Sequence, residues 1–313
     1  MQKFYNQLVR LAALALAIIW CLPGMALAAP KEKAPTSLVP VKITVLATAG
    51  VNGHLMNWNY DLSRKTDFGL VRISSLVKKE RQSNPNVLLV DGGNMLSGSS
   101  LTSYFANDPL PLPPPMAAMY NYLGYDAVTL GEGELAYGQA YLSKSLAIAR
   151  FPMLSANAQV LSQDKTLSAI KPYTIKEFEV SQGKKKEKLR IAIVGGSTIS
   201  PYANQVDGLT FTDRDKAIND IVKKIQKKVD AVIIVKNDGL TVNGITAVEP
   251  GKLGSSISKT EITFVKAKKQ WVAVQSETSS LLTLTAAPDK GMEDAIWPYH
   301  DATLQYLTKR PQQ

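Results

Sequence analysis

The segment Val87 to Ser99, VLLVDGGNMLSGS, decides the fold. Its four apolar residues, Val87 to Val90, are too short a run for a helix and read as a strand buried on both faces, the pattern of an α/β sheet. The run ends in Asp91, Gly92, Gly93 and Asn94 and then a Ser97-Gly98-Ser99 turn. Open α/β sheets place ligands at the carboxyl ends of their strands, and glycine there lets backbone come close to a ligand. The same residues also fit an ordinary Gly/Ser turn, so the weight of a functional reading comes from the segments around it.

Three further strand ends repeat the pattern. Upstream, Val41 to Ala47 reads as a first strand running into Gly50-Val51-Asn52-Gly53-His54. Downstream, Asp126 to Leu130 leads into a loop, Gly131 to Gly138, and Asp230 to Lys236 leads into Asn237-Asp238-Gly239. Between these lie a helix from Gly69 to Arg81 capped by Asp67, a helix from Met116 to Leu123 stopped by Gly124, and a helix from Gly138 to Arg150. Tyr173 to Val180 and Lys188 to Val194 read as strands around a Lys-rich turn, and Asp213 caps an amphipathic helix with Ile218, Ile221, Val222, Ile225 and Val229 inward. The end is β-rich, Ile257 to Val265 and Trp271 to Ser276, followed by a helix from Asp289 to Arg310 with a break at Pro298.

The N-terminus carries Lys3 and Arg10, an apolar run from Leu11 to Leu22, and Ala26-Leu27-Ala28, the signature of a secretory signal peptide over residues 1–28. The apolar run is short for a membrane anchor, so no transmembrane anchor is expected after cleavage, and the location expected is secreted or periplasmic. Residues 29–40 read as a disordered lead and 41–313 as the folded domain. The one cysteine, Cys21, lies in the leader, which excludes disulfide and thiolate chemistry in the mature chain. The full chain has 36 Lys+Arg against 26 Asp+Glu, and removing a leader with two cations and no acid leaves a net charge near +8. The excess sits in short clusters such as Lys184 to Lys188 and Lys223 to Lys228, which read as solvated faces and not as a nucleic-acid surface.

Taken with LATAGVNGHL, VDGGNMLSGSS, GEGELAYG, VIIVKNDG and NGITAVEPGKLGSS, the chain resembles the calcineurin-like metallophosphoesterase domain of the secreted 5′-nucleotidase and 2′,3′-cyclic-nucleotide phosphodiesterase family. The resemblance implies an α/β sandwich of two mixed sheets flanked by helices. In that family the loops read Asp-x-His-Gly, Gly-Asp, Gly-Asn-His-Glu, a His after the penultimate core strand, and Gly-His-x-His. Those residues hold two divalent cations, which at about 3.5–4 Å apart clamp a phosphate and supply hydroxide. Matched position by position, Gly50 stands for the first Asp, Asn52 for the following His, Asn94 for the bridging Asp and Glu132 for the Asn ligand. Gly133 stands for the transition-state His, Ala136 for the residue orienting it, and Asn237 for the fourth-strand His, while the Gly-His-x-His has no counterpart.

The expectation is therefore a catalytically degenerate homologue with no cofactor, acting as a binding module for phosphate-containing or acidic ligands, anionic envelope polymers among them, with no specific nucleic acid. The alternative is an active phosphohydrolase using a residual single-metal site. Residual contacts to an anion or metal would come from Asp91, Glu132, Asp238 and His54, with Glu134 near the same loops. Backbone N–H nests at Gly50–Gly53, Gly92–Asn94 and Gly131–Gly133 are the expected anion donors. The competing arrangement is a cleft filled by Asn52, Asn94, Glu132 and Asn237 bonding one another. The family's nucleotidases carry the base-stacking aromatic residues in a further C-terminal domain, so little preference among bases is expected. Oligomeric state is not read from these residues.

Overall fold

The structure, a computed structural model, describes residues 39–108, 111–161, 163–183, 185–200, 208–242, 244–267 and 270–309. The leader and all but the end of the lead lie outside the described residues. Along the chain run β1 (Val41–Thr48), α1 (Leu70–Ser83), β2 (Val87–Asp91), α2 (Ser100–Asn107), α3 (Pro115–Leu123) and β3 (Ala127–Thr129). Next come α4 (Glu132–Leu135), α5 (Gly138–Ile148), β4 (Met153–Leu154), β5 (Tyr173–Gln182), β6 (Lys185–Gly196) and α6 (Arg214–Ile225). The last elements are β7 (Ala231–Lys236), β8 (Gly239–Val242), β9 (Ile245–Thr246), β10 (Ser256–Ala267), β11 (Gln270–Leu282) and α7 (Lys290–Lys309).

Among the described residues two mixed sheets face each other, in the orders β11-β10-β1-β2-β3-β4 and β9-β8-β7-β6-β5. β1 to β4 pair in parallel, as do β6 and β7, so both sheets present strand carboxyl ends. Ile43, Val45, Leu88 and Val90 from the first sheet meet Ile191, Ile193, Ile233 and Val235 from the second in a core between the layers. The other face of the first sheet, through Leu46, Leu89 and Val128, packs on helical residues such as Leu70, Ile73, Met116, Tyr120, Leu142, Met292 and Ile296. α6 covers the second sheet by setting Ile218 and Ile225 on Ala192 and Val194. β2 is buried at all five positions because it has helices on one face and a sheet on the other.

Four local expectations are corrected. Asp67 does not cap α1: the N-cap is Gly69, at φ 114°, where a Cβ would meet the Met56 carbonyl oxygen at 2.5 Å, and Asp67 pairs with Arg72 at 3.2 Å instead. The loop Gly131 to Gly138 contains a helical turn, α4, and α5 ends at Ile148 and not at Arg150. Asn237-Asp238-Gly239 is a hairpin turn leading straight into β8, so pairing resumes well before Ile257. Pro298 does not end the last helix, which buries Met292 and Ile296 before it and Tyr299, His300 and Thr303 after it. Asp213 does cap α6, accepting from Lys216 N at 2.6 Å, and Gly124 ends α3 at φ 71°.

Candidate functional site

The carboxyl ends of β1, β2 and β7 enclose a cleft of about 270 Å³. Gly50, Asn52, Gly92, Asn94, Asn237 and Asp238 line it, so the structure brings these positions together. A late segment completes the wall with Glu249, Pro250 and Lys252, held there by Leu253 N donating to Gly50 O at 2.8 Å. Lys236 lines it from the end of β7.

The loops are stitched edge to edge. Gly50 N donates to Gly93 O at 2.9 Å, Asn52 N to Asn94 O at 3.0 Å and Gly53 N to Met95 O at 3.1 Å. This geometry places Gly50, Asn52, Gly93 and Asn94 at φ 59°, 50°, 95° and 62°, a region that Gly and Asn enter at least cost. Glu134, buried, fastens the third loop to the second by accepting from Gly131 N, Asn94 N and Met95 N at 2.7, 2.9 and 2.6 Å. Burial raises its carboxyl, and the backbone donors oppose that shift.

Asp91 and His54 do not reach the cleft. Asp91 is fully buried and accepts from Thr48 Oγ1 at 2.5 Å, Gly93 N at 2.6 Å and Tyr120 OH at 3.0 Å. Its carboxyl is pushed up to about 7, chiefly by burial. His54 turns inward, with Nδ1 2.9 Å from Asn52 O and its ring on the edge of Phe68, and burial lowers its basicity. Glu132 is spent on Ser200 N, and Ala136 is exposed beyond α4; neither lines the cleft. Asp238 is at the rim with both oxygens on Arg214 Nη1, at 3.0 and 2.8 Å.

The expected anion nests are largely consumed. Besides the N–H groups of Gly50, Asn52 and Gly53, those of Gly92 and Gly93 go to Thr48 O and Asp91, and Gly133 N donates to Asn94 Oδ1 at 2.8 Å. The amides also bond backbone and not each other: Asn237 Nδ2 donates to Gly92 O, and its Oδ1 accepts from Thr198 N at 2.6 Å. What remains in the cleft is the Asn52 side chain and Asn94 Nδ2, which make no hydrogen bond among the described residues, and Lys236 and Lys252, which make no ion pair there. The sequence reading misses both lysines. Lys252 lies within NGITAVEPGKLGSS, which serves there only as a framing stretch, and Lys236 reads as the outward end of a core strand.

This fold, with its polar loops gathered at strand ends, is that of the calcineurin-like phosphoesterases. Calcineurin-like phosphoesterase YfkN from Bacillus subtilis superposes with a TM-score of 0.77 at 22% identity, over 87% of this chain and 100% of that one. A 5′-nucleotidase precursor from Thermus thermophilus gives 0.67 at 18% identity, over 86% and 60%. The homologues in sequence are members of the 5′-nucleotidase and 2′,3′-cyclic-nucleotide phosphodiesterase family. A trifunctional nucleotide phosphoesterase from Bacillus subtilis is 26% identical over 91% of this chain, and a 2′,3′-cyclic-nucleotide 2′-phosphodiesterase/3′-nucleotidase from Yersinia enterocolitica is 33% identical over 64%. The chain spans 24% and 32% of those two relatives. No protein-family model matches the chain.

These relatives correct the expectation of no cofactor: their family is one of divalent-metal-dependent phosphoesterases, so a metal is the cofactor they imply. The donor set at this site does not fit a two-metal shell. Among the described residues no group of three or more His, Cys, Asp or Glu is placed to hold a metal ion. Asn94 Oδ1, Glu132 and Asn237 Oδ1 each accept a backbone N–H. A hard divalent cation is held by carboxylates and imidazoles with free lone pairs, so no chemical step is derived through a metal here.

Proposed function

We propose that this chain is a catalytically degenerate phosphoesterase homologue that works outside the cytoplasm by binding a phosphate-containing or acidic ligand in the strand-end cleft. One observation supports the reading: Lys236 and Lys252, without ion-pair partners among the described residues, line a cleft of small-ligand size together with Asn52 and Asn94. Lysines and amides suit the oxygens of a phosphate ester, while Asp238 is neutralised by Arg214 and leaves Glu249 as the opposing acid. The leader at residues 1–28 supports the location. A second reading, an active phosphohydrolase, draws on the relatives, which are named as phosphoesterases and nucleotidases.

Calorimetric titration with adenosine monophosphate and with inorganic phosphate, each with and without Mn²⁺, tests the binding. The protein is taken from the host's extracytoplasmic fraction, where it should begin at Ala29. Binding should weaken as salt rises, since two ammonium groups carry much of it. Lys236→Ala with Lys252→Ala should weaken it roughly tenfold or more, the equivalent of about 1.4 kcal/mol. Unchanged affinity in that double variant would reject the cleft as the binding site.

A further inference from the structure

At the opposite end of the five-stranded sheet the fold gathers three basic segments that are far apart in sequence. The amino ends of β6 and β7, the end of α6 and the turn between β10 and β11 enclose a second cavity, of about 370 Å³, lined by Lys188, Arg190, Lys227, Lys228 and Lys266. From Arg190 to Gly196 along β6 is six residue steps, so this cavity is about 20 Å from the strand-end cleft.

Its floor is built. Asp230 accepts from Arg190 N at 2.8 Å and from Trp271 N at 3.4 Å, which joins the two sheets. Trp271 is buried, and its Nε1 donates to Lys188 O at 3.1 Å. Asp230, one of the carboxylates beside the cations, is thus turned toward backbone donors. Lys188 and Arg190 share Glu177 at 2.7 and 2.9 Å, and Lys266 pairs with Glu187 while standing 5.8 Å over the Trp271 ring.

The lysines at the end of α6 have no such partners. Lys223 and Lys224 in the last turn of α6, and Lys227 and Lys228 in the turn that follows it, are exposed and make no ion pair among the described residues. A row of this kind beside a polar cavity is open to a counter-charge that the described residues do not supply.

We propose that this cavity and the adjoining lysine row bind a linear polyanion through its backbone phosphates. A polymer fits better than a lipid surface because the cations surround a concavity whose apolar lining residues, Val229 and Trp271, are half-buried and buried, so that little apolar surface is offered for insertion. Spaced phosphates can engage the cavity and the row together, and each engaged phosphate releases counterions, which makes binding steeply salt-dependent.

Fluorescein-labelled linear polyphosphate, titrated into the full chain and read by anisotropy at several salt concentrations, tests this. The structure predicts a loss of at least tenfold in affinity and a shallower salt slope for Lys227→Glu with Lys228→Glu, at an unchanged melting temperature. Arg64→Glu with Lys65→Glu makes the same change in charge on an exposed two-stranded hairpin and should shift affinity less than threefold. Equal losses in both variants would mean that net charge alone attracts the polymer, and a loss in Lys236→Glu with Lys252→Glu that Lys227→Glu with Lys228→Glu does not share would place binding in the strand-end cleft; either overturns the proposal. Tighter binding of a single-stranded oligonucleotide of equal charge, or binding of anionic vesicles with no binding of polyphosphate, would overturn it as well.

Discussion

Gly93 shows how much of the site is set by single backbone positions. It sits at φ 95°, and a Cβ there would overlap the Thr129 carbonyl oxygen and approach Asn237 Nδ2 to 2.7 Å. Gly93→Ala should therefore destabilise the chain by about 2–4 kcal/mol, read as a lower urea midpoint, because the positive φ and the overlap act together. An unchanged midpoint would mean that the loop relaxes freely. Gly133 is constrained as well, since a Cβ would lie 2.8 Å from Asn94 Cα, so a histidine cannot simply be placed at that position. Beneath the loops, Asp91 makes stability depend on pH. Its carboxyl titrates near 7 in the native state, raised mainly by burial, against about 3.9 in an unfolded chain. Between those values the native state holds a proton that the unfolded state has lost, so the contribution of Asp91 to stability is greatest below about pH 4 and declines as pH rises toward 7. Asp91→Asn keeps a neutral acceptor for Gly93 N. Its deficit relative to the parent, measured by urea melts at pH 5 and pH 8, should be smaller at pH 8. A larger deficit at pH 8 would contradict a protonated Asp91.

At the scale of elements, the sequence makes some features legible and hides others for physical reasons. β2 is plain from Val87 to Val90 because a strand covered on both faces must be apolar at every position. The hairpin of β7 and β8 is hidden because Asn237-Asp238-Gly239 has the same composition as a loop, and only its pairing shows a turn. The gathering of Gly50, Asn52, Asn94 and Asn237 is legible from strand ends and family spacing. The use of the N–H groups of Gly50, Gly92 and Gly93 inside the loops is not, because it depends on how separate segments cross. α7 illustrates tertiary packing overriding propensity: Pro298 removes one backbone donor, yet Ile296 and Tyr299 on either side of it are both buried against the same layer. Pro298→Ala should restore that donor and raise the melting temperature, by the equivalent of roughly 1–3 kcal/mol. A fall would show that the proline ring itself is needed in the packing.

For the whole molecule, the two sheets and their helices form a phosphoesterase-type scaffold, and its strand-end loops line the cleft with amides, glycines and two lysines. The scaffold persists because its core, drawn from Ile43, Val45, Leu88, Ile193 and Ile233, is independent of the loop chemistry. On the proposed reading, binding and hydrolysis are separable, since lysines would hold a phosphate without activating water. The most direct test is a turnover assay on the intact protein with Mn²⁺ added, using a generic phosphate monoester and a 2′,3′-cyclic nucleotide, run beside the calorimetric titration. The account predicts salt-sensitive binding that depends on Lys236 and Lys252, with no turnover above buffer. Metal-dependent turnover at a rate proportional to protein concentration would contradict it.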